Sequence, residues 1–250
     1  MYKDRILNED LAQKLMSSEK AASFITDKMV VASSGFTKAG DSKAVLAAVA
    51  LKAKLDPLKI TLITGASLGH DTDAALVNAD ALSLRLPFQV DRVLRTAINQ
   101  GEVLFIDQHL GETANLLKAN NFPKIDVAIL EAIKINEDGS IVPTTSVGNS
   151  ASFAELADKI IIEINTKVPF SLCGLHDIFS TGEYPNRTEI PITAANTRIG
   201  TTSIPIDINK IVGIVITEIV DSPAEIAPPD ASTIAISKHL VNFFSDEVKK

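Results

Sequence analysis

The chain has 250 residues and a formal net charge of −7, from 24 basic and 31 acidic residues, with no run of lysine or arginine. This balance argues against a nucleic-acid-binding protein, because nucleic-acid-binding surfaces are basic. Apolar residues make up 46% of the chain, yet tryptophan is absent and there are only two tyrosines, which favours buried strands covered by alanine-rich helices over an aromatic-rich β-sandwich.

Two short helices are predicted at the start of the chain. Asn8 precedes acidic residues and then Leu11, Leu15 and Met16, a pattern that is typical of a capped helix. A second helix is predicted at about 19–25. Both helices would lead into the first strand of the domain.

The next segment predicts a strand, a loop and a helix. Residues 29–32 form an apolar run of strand length, and small residues at 33–35 let the backbone turn and leave its N–H groups open. Asp41 or Ser42 suits the N-cap of a helix at 44–54, which is rich in strong helix formers. Ligands bind in such loops in open α/β sheets, although an ordinary connection with small residues for packing explains the segment equally well.

The rest of the chain alternates between predicted strands and helices. This order indicates one α/β domain over residues 1–250, with a mainly parallel sheet of about six or seven strands flanked by helices. Further strands are predicted at 59–64, 82–86, 103–106, 126–135, 140–142, 159–164 and 210–217, and further helices at 71–80, at 91–100, from about 112, at 151–157 and from 230. Asp138-Gly139 predicts a hairpin, so one antiparallel strand joins the sheet. Residues 166–205 lack a regular pattern, and such a long excursion in a compact domain is often functional.

Four small-residue loops follow predicted strands, and the carboxyl ends of parallel strands meet at one edge of a sheet. We therefore expect the four loops to lie on one rim. The loop at 144–149 would offer backbone N–H groups to an anion or oxyanion there. The candidate substrate-binding residues on the rim are Ser34, Gly35, Phe36, Thr37, Gly65, Ala66, Ser67, Gln108, His109, Thr145, Ser146, Val147, Gly148 and Asn149.

The residues Gly-Ala-Ser-Leu-Gly at 65–69 follow a predicted strand, which is the context of a nucleophile elbow centred on Ser67. A serine hydrolase would also need an acid and a histidine, for which His176 and His239 are available. No glycine-rich oxyanion segment precedes the motif, and His239 lies within a predicted amphipathic helix. A tight turn after a buried strand is therefore the better-supported interpretation.

The cysteine and histidine residues give weak signals. Cys173 and His176 are spaced so that both could bind a metal, but a site needs three or four ligands and the chain has no second cysteine, so we expect no metal. His70 and His109 could line a cleft, although solvated loop histidines are more common.

The single cysteine favours a reducing, cytoplasmic setting. No apolar run approaches the ~20 residues that a membrane-spanning helix needs, so we expect no membrane partner.

Three glutamates, Glu131, Glu163 and Glu218, lie within apolar runs that are predicted to be strands. A buried carboxylate must find a partner or shift its pKa. One of the three could be a nucleophile or base, but more often such residues pair with an arginine or lysine of a neighbouring element. The candidate partners are Arg85, Arg187 and Arg198.

Segments that occur in order along nearly the whole chain carry a family pattern. They are SSGFTKAGDSKAV (33–45), KITLITGASLG (59–69), LPFQVDRVLRTAINQGEVLFIDQHLGE (86–112), IVPTTSVGNSASFAELA (141–157), GLHDI (174–178), RIGTTSIPI (198–206), IVGIVI (211–216), SPAEIAPPD (222–230) and the final HLVNFFSDEVKK. With these segments the chain resembles the amino-terminal half of the acetyl-CoA hydrolase/CoA-transferase family of class I CoA-transferases, close to the bacterial succinyl-CoA:acetate CoA-transferases.

The resemblance implies an NagB/RpiA/CoA-transferase-like α/β fold and a whole protein about twice this long, whose two related halves meet at the active site. In the family a glycine- and asparagine-rich loop and the catalytic glutamate follow in the second half, and no carboxylate of this sequence matches that glutamate. The catalytic residue is therefore not carried over, and the chain is expected to be inactive alone, as a fragment or one product of a split protein. The implied reaction is a ping-pong transfer of CoA through a glutamyl-CoA thioester, or hydrolysis when water intercepts an intermediate.

The resemblance also implies partners. These are an acyl-CoA, a small carboxylate and the carboxy-terminal half of the same protein, in a homo-oligomer, with coenzyme A as a substrate and no cofactor. The four loops would then form cleft walls for the acyl group and the acceptor. A second hypothesis is a non-catalytic acyl-CoA-binding or assembly half, and a third is the serine hydrolase built on Ser67.

Overall fold

The computed structural model describes residues 2–33, 35–182 and 185–248, and these residues form one eight-stranded sheet. The strands are β1 (Val30–Ser33), β2 (Ile60–Thr64), β3 (Leu82–Leu86), β4 (Leu104–Phe105), β5 (Val127–Ile135), β6 (Ile141–Pro143), β7 (Lys159–Asn165) and β8 (Ile211–Thr217). The order is β4-β3-β2-β1-β5-β7-β8, all parallel, and β6 pairs antiparallel with β5 through the predicted hairpin. The mainly parallel sheet is confirmed, and it exceeds the expected six or seven strands because both the short β4 and the hairpin strand β6 pair with it.

Helices cover both faces of the sheet. They are α1 (Glu9–Ala12), α2 (Ser18–Ala22), α3 (Val45–Leu55), α4 (Thr72–Asn78), α5 (Arg92–Asn99), α6 (Thr113–Lys118) and α7 (Ser150–Leu156), and a further helix, α8 (Ala231–Val248), follows the last strand. Short 3₁₀ turns occur at Tyr2–Arg5, Leu110–Glu112, Phe170–Leu172 and Ile208–Lys210. The predicted α/β class is thus the observed one.

The first helix is shorter than predicted. Asn8 caps α1 as expected, since its Oδ1 accepts the Leu11 N–H at 3.0 Å. The helix nevertheless ends before Leu15 and Met16, because the backbone there pairs with the outer strand β8: the Met16 N–H donates to the Ile214 carbonyl at 2.9 Å. This pairing covers an edge that would otherwise expose unpaired backbone groups.

Two apolar layers lie on opposite faces of the sheet. Alternate residues of each strand point to opposite faces, so Ile129 and Ile161 pack with helices α2 to α5, whereas Leu130 and Ile162 pack with α1, α6 and α7. Because both faces are covered, β5 and β7 are buried over nearly their whole length. This explains why they read as continuous apolar runs in the sequence.

The irregular segment at 166–205 is attached to the sheet by a few contacts. The Arg5 guanidinium donates to the carbonyls of Asn165, Thr166 and Val168 at 2.9 to 3.2 Å and lies 4.3 Å from the centre of the Phe170 ring. Isolated bridges join Ile178 to Thr201 and Ile204 to Ile141. Much of the stretch beyond Ile178 is exposed.

Helix α8 does not pack on the sheet. Every one of its residues is exposed, including large apolar side chains. These are Ile234, Ile236, Leu240, Val241, Phe243, Phe244 and Val248. Within the described ranges, no helix is both long enough and apolar enough to cross a bilayer.

Candidate functional site

Two of the predicted loops meet at the carboxyl ends of the central strands. Strands β1 and β2 are neighbours, so the loops that follow them lie side by side. Their backbones approach so closely that a Cβ built on Gly65 would lie 2.2 Å from the Gly35 carbonyl oxygen. Only glycine fits at such a distance. The loops at 35–37 and 65–67 therefore share one rim, as predicted.

The loop at 144–149 reaches the same rim by a different route. Strand β5 extends beyond its neighbours, and β6 folds back along it, so that Pro143 lies level with Ala132. The loop then turns over the rim, where a Cβ on Gly148 would lie 2.8 Å from the Gly35 carbonyl oxygen. The predicted convergence is correct, but the hairpin causes it and not a parallel strand end.

The loop with Gln108 and His109 lies apart from the other three. It follows β4, which β2 and β3 separate from β1. The Gln108 amide donates to the Thr113 hydroxyl at 2.9 Å, within its own segment. This loop is on the same edge of the sheet, yet it does not reach the convergent loops. Ser34, a further predicted site residue, lies outside the described residues.

A tight turn at residues 36–39 connects the convergent loops. The Phe36 N–H donates to the Ala39 carbonyl at 2.9 Å, and Thr37 has a positive φ of 53°. The Lys38 N–H donates to the Ser67 carbonyl at 3.1 Å, and the Ser146 hydroxyl donates to the Ala39 carbonyl at 2.8 Å. The turn thus binds both neighbouring loops and holds the Phe36 ring on the rim with 48% of the residue exposed.

The buried carboxylate of Glu163 caps helix α3 from the neighbouring part of the sheet. It accepts the backbone N–H groups of Lys43 at 2.8 Å, Ala44 at 3.2 Å and Val45 at 2.7 Å, and the Ser42 hydroxyl at 2.6 Å. The expected N-cap role of Asp41 or Ser42 is therefore wrong. A carboxylate at a helix N-terminus accepts hydrogen bonds from the free N–H groups of the first turn and interacts favourably with the positive end of the helix dipole.

Beneath the rim lies a cluster of ionisable groups, the lysine cluster, formed by Asp41, Lys43, Glu131 and Asp221. The Lys43 ammonium lies 2.7 Å from Glu131 Oε1, 2.9 Å from Asp221 Oδ1 and 3.8 Å from Asp41 Oδ1. The first three side chains are fully buried, whereas Asp221 is 16% exposed. A single cation thus lies among three carboxyl groups.

The carboxyl groups of the cluster differ in their proton affinity. Burial raises the pKa of Glu131 to about 7, although the charge of Lys43 and hydrogen bonds from Lys43, Thr144 and Asn165 lower it. Burial likewise raises the pKa of Asp41. For Lys43, burial lowers the pKa, but the charges of Glu131 and Asp41 and the hydrogen bonds to Glu131 and Asp221 together outweigh burial and leave the pKa above its usual value.

Sequence analysis missed Lys43 and Asp221 as members of this site. A signal for Lys43 existed, since buried carboxylates in strands require a cation and Lys43 stands directly before an apolar helix. The candidate arginine partners are wrong. Arg85 instead binds Asp73 at 2.8 Å, Arg198 donates to the carbonyls of Gly174 and His176, and Arg187 is exposed. Glu218 is also exposed and does not lie in a strand.

Ser67 lacks the surroundings of a catalytic serine. It is 3% exposed, and the turn around it is held by Arg85, which donates to Thr64 Oγ1 at 2.8 Å and to the Ala66 carbonyl at 3.4 Å. The ring of His176 faces the carbonyls of residues 143 and 144. In the part of the chain that the structure describes, no histidine is hydrogen-bonded to Ser67. The glycine-serine motif is a tight turn.

Within the described ranges, no group of three His, Cys, Asp or Glu residues is arranged so that it could hold a metal ion. Cys173 is a free thiol of intermediate exposure. The His176 ring nitrogen lies 2.9 Å from the Thr144 carbonyl oxygen, so it is engaged by the backbone of the rim. What the rim offers is a polar surface of small residues around Phe36, above a buried ammonium.

Comparison with known proteins gives consistent matches. The family model of the acetyl-CoA hydrolase/transferase N-terminal domain matches residues 2–216. The succinyl-CoA:acetate CoA-transferase of Clostridium kluyveri is 38% identical over 98% of this chain and 46% of its own length. The propanoyl-CoA:succinate CoA transferase of Escherichia coli is 37% identical over 93% of this chain and 48% of its own length. The acetyl-CoA hydrolase of Schizosaccharomyces pombe is 36% identical over 99% of this chain and 50% of its own length. The chain spans about half the length of these curated relatives.

Solved structures share the fold. Glutaconate coenzyme A-transferase from Acidaminococcus fermentans has a TM-score of 0.56 at 13% identity, over 82% of this chain and 76% of that one. RipA from Yersinia pestis has a TM-score of 0.61 at 17% identity, over 90% of this chain and 48% of the RipA chain. At these identities the likeness concerns the α/β architecture alone.

Proposed function

This chain belongs to the acetyl-CoA hydrolase/transferase family, and from that premise we propose that it is the amino-terminal half of an enzyme that moves CoA from an acyl-CoA to a small carboxylate, or hydrolyses the acyl-CoA. The observation that carries the proposal is the convergence of three small-residue loops around the exposed ring of Phe36. An apolar side chain beside close-packed backbone is a suitable wall for a short acyl group.

The proposed reaction proceeds through a glutamate of the carboxy-terminal half. Its carboxylate attacks the thioester carbonyl, which forms an acyl-glutamyl anhydride and releases the CoA thiolate. The thiolate then attacks the glutamyl carbonyl, which gives a glutamyl-CoA thioester and frees the acyl carboxylate. An acceptor carboxylate takes the CoA through the same steps in reverse, and water in its place gives hydrolysis.

The carboxylates of this chain support a nucleophile located elsewhere. Glu163 is held by the N-terminus of α3, and Glu131 is bound to Lys43 and Asn165, both beneath the rim. A nucleophile must approach the substrate carbonyl directly, and neither side chain reaches the surface. The rim of this half would then orient the acyl group and the acceptor.

The proposal includes the setting of the enzyme. Coenzyme A is a substrate and no further cofactor is required. The single cysteine fits a reducing cytoplasmic compartment. The active form would contain the carboxy-terminal half and assemble as a homo-oligomer.

The test is an acyl-exchange assay. Purified 250-residue chain is incubated with acetyl-CoA or succinyl-CoA and a carboxylate acceptor, and thiol release and acyl exchange are followed, alone and after recombination with a carboxy-terminal half. We expect turnover only in the recombined protein. Turnover by the homogeneous chain that is abolished by Glu131→Gln, Glu163→Gln or Glu218→Gln would overturn the placement of the nucleophile. A recombined protein without acyl exchange or hydrolysis would overturn the function.

A further inference from the structure

Residues 218–222, here named the strap, cross the rim after β8. The Asn165 side-chain amide donates to the Ile219 carbonyl at 2.6 Å, and the His70 ring nitrogen lies 2.8 Å from the Val220 carbonyl oxygen. The His70 N–H donates to the Ser222 hydroxyl at 3.0 Å. The strap has no regular secondary structure, so these side-chain contacts determine its position.

The side chain of Asp221 fixes the centre of the strap. Its Oδ1 accepts the Lys43 ammonium at 2.9 Å and the Gly40 N–H at 3.0 Å, and its Oδ2 accepts the Thr145 hydroxyl at 2.5 Å. An ammonium, a backbone N–H and a hydroxyl thus converge on one carboxylate from two different loops. Charged and neutral donors arranged in this way are typical of a carboxylate receptor.

Asp221 is also the member of the lysine cluster that faces solvent. Its side chain is 16% exposed, whereas those of Lys43 and Glu131 are fully buried. Burial raises the pKa of Asp221, but the hydrogen bonds from Thr145, Lys43 and Gly40 outweigh burial and leave the pKa below its usual value. The surrounding donors therefore favour an anion at this position, and removal of the strap would open the position to solvent.

We infer that Lys43 Nζ, the Gly40 N–H and Thr145 Oγ1 form a receptor for a small carboxylate anion, which Asp221 fills from within the chain, and that a free carboxylate bound there releases the strap. The choice of a carboxylate as the natural ligand rests on the proposed function, because the acceptors of that reaction belong to the same chemical class. The receptor would thereby couple acceptor concentration to the opening of the rim.

Asp221 is covalently tethered to the receptor, and this determines how readily a free carboxylate can compete with it. A group on a short segment acts at an effective concentration of the order of millimolar or higher, so competition in the native protein requires a high carboxylate concentration. Removal of the Asp221 side chain takes the acceptor from the Thr145 hydroxyl and one of the carboxylates from the Lys43 ammonium, while Glu131 still neutralises Lys43. That variant should bind a free carboxylate without competition.

The experiment is a thermal melt of Asp221→Gly titrated with sodium formate or acetate, against sodium chloride at equal ionic strength. We expect the carboxylates to raise Tm by about 3 to 5 °C at ten times their Kd, and chloride to raise it much less. Asp221→Asn, which fills the receptor with a neutral group, is the matched control and should show no carboxylate-specific shift. Thr145→Val in the Asp221→Gly background should weaken the shift.

A folded Asp221→Gly protein that responds equally to chloride and carboxylates would overturn the inference. If that variant does not fold, the native chain is tested by hydrogen exchange, where formate should increase deuterium uptake, relative to chloride, at the His70 amide, whose N–H donates to Ser222 of the strap. Equal uptake in both salts would also overturn it. Neither measurement uses acyl-CoA, so their failure is distinct from failure of the proposed function.

Discussion

Glu131 and Glu163 are register partners on the adjacent parallel strands β5 and β7, and their carboxylates project from the same face of the sheet. They are neutralised in different ways. Glu131 meets the ammonium of Lys43, whereas Glu163 accepts the N–H groups that begin α3. Since Lys43 is itself in that segment, the two strands together fix the position of the loop that leads from β1 to α3.

Substitution of Glu163 is expected to destabilise the chain strongly. Glu163→Gln replaces one acceptor oxygen with an amide that faces N–H groups, which leaves buried donors of α3 unsatisfied. We expect a loss of about 2 to 4 kcal/mol in the free energy of unfolding, measured by urea denaturation. The exposed Glu218→Gln should change the free energy by less than about 0.5 kcal/mol. A similar, small effect for both variants would contradict the capping role.

The raised pKa of Glu131 predicts a pH-dependent stability. Its value is about 7 in the folded protein against 4.5 as the reference, so between these values the folded state binds more protons than the unfolded state. The stabilising contribution of Glu131 is therefore fully present below about pH 4.5 and is lost as the pH rises through 7. Over this range the free energy of unfolding falls by at most about 1.4 kcal/mol per pH unit. The raised pKa of Asp41 likewise makes the stability fall as pH rises. The lowered pKa of Asp221 makes the stability rise with pH, at lower pH values.

Urea denaturation at several pH values between 5 and 8 checks this slope. Glu131→Gln removes the titrating group, so its stability should fall less steeply over this range than that of the native chain. The comparison concerns slopes and not absolute stabilities, because the substitution also alters hydrogen bonds to Thr144 and Asn165. An unchanged slope in Glu131→Gln would assign the pH dependence to another group.

Arg85 is predicted to hold the turn at 65–69 in place. It is fully buried and donates to Thr64, to the carbonyls of Ala66 and Leu86, and to Asp73. Lysine cannot reproduce this set of donors, so Arg85→Lys should lower the free energy of unfolding by about 2 to 4 kcal/mol. Arg95→Lys, at an exposed position of α5, is the control. Equal stability of the two variants would show that the turn does not depend on Arg85.

The parallel sheet and the rim could be predicted from the sequence because they depend on local patterns. Apolar runs of strand length, small residues after them and the Asp138-Gly139 turn each specify structure within a few residues. The lysine cluster could not be predicted in this way. Glu131 and Asp221 meet Lys43 only because of the order of the strands in the sheet. That order depends on contacts between residues that are far apart in the sequence.

The shortened first helix shows the same limit. The spacing of Leu11, Leu15 and Met16 satisfies a helical pattern, but pairing of residues 15 and 16 with β8 competes with the helix and prevails. The N-cap of α3 is a similar case, since a glutamate far along the chain replaces the local candidates Asp41 and Ser42. Local propensity is overridden wherever a distant backbone or charge offers a better partner.

The exposed apolar side chains of α8 predict that the chain self-associates. Phe243 and Phe244 are 58% and 59% exposed, and their rings contact each other with centroids 5.6 Å apart. Contiguous apolar surface of this kind associates in water. We therefore expect the mass of the native chain in sedimentation velocity to increase with concentration, and Phe243→Ser with Phe244→Ser to abolish that increase.

The melting temperature separates this effect from unfolding. Since α8 buries none of its residues against the sheet, the double variant should melt at nearly the same temperature as the native chain at a low, monomeric concentration. Leu104→Ser is the matched control, because Leu104 is 67% exposed on the edge strand β4, far along the sheet from β8. It should leave self-association unchanged. Loss of association in the control, or its persistence in the double variant, would place the associating surface elsewhere.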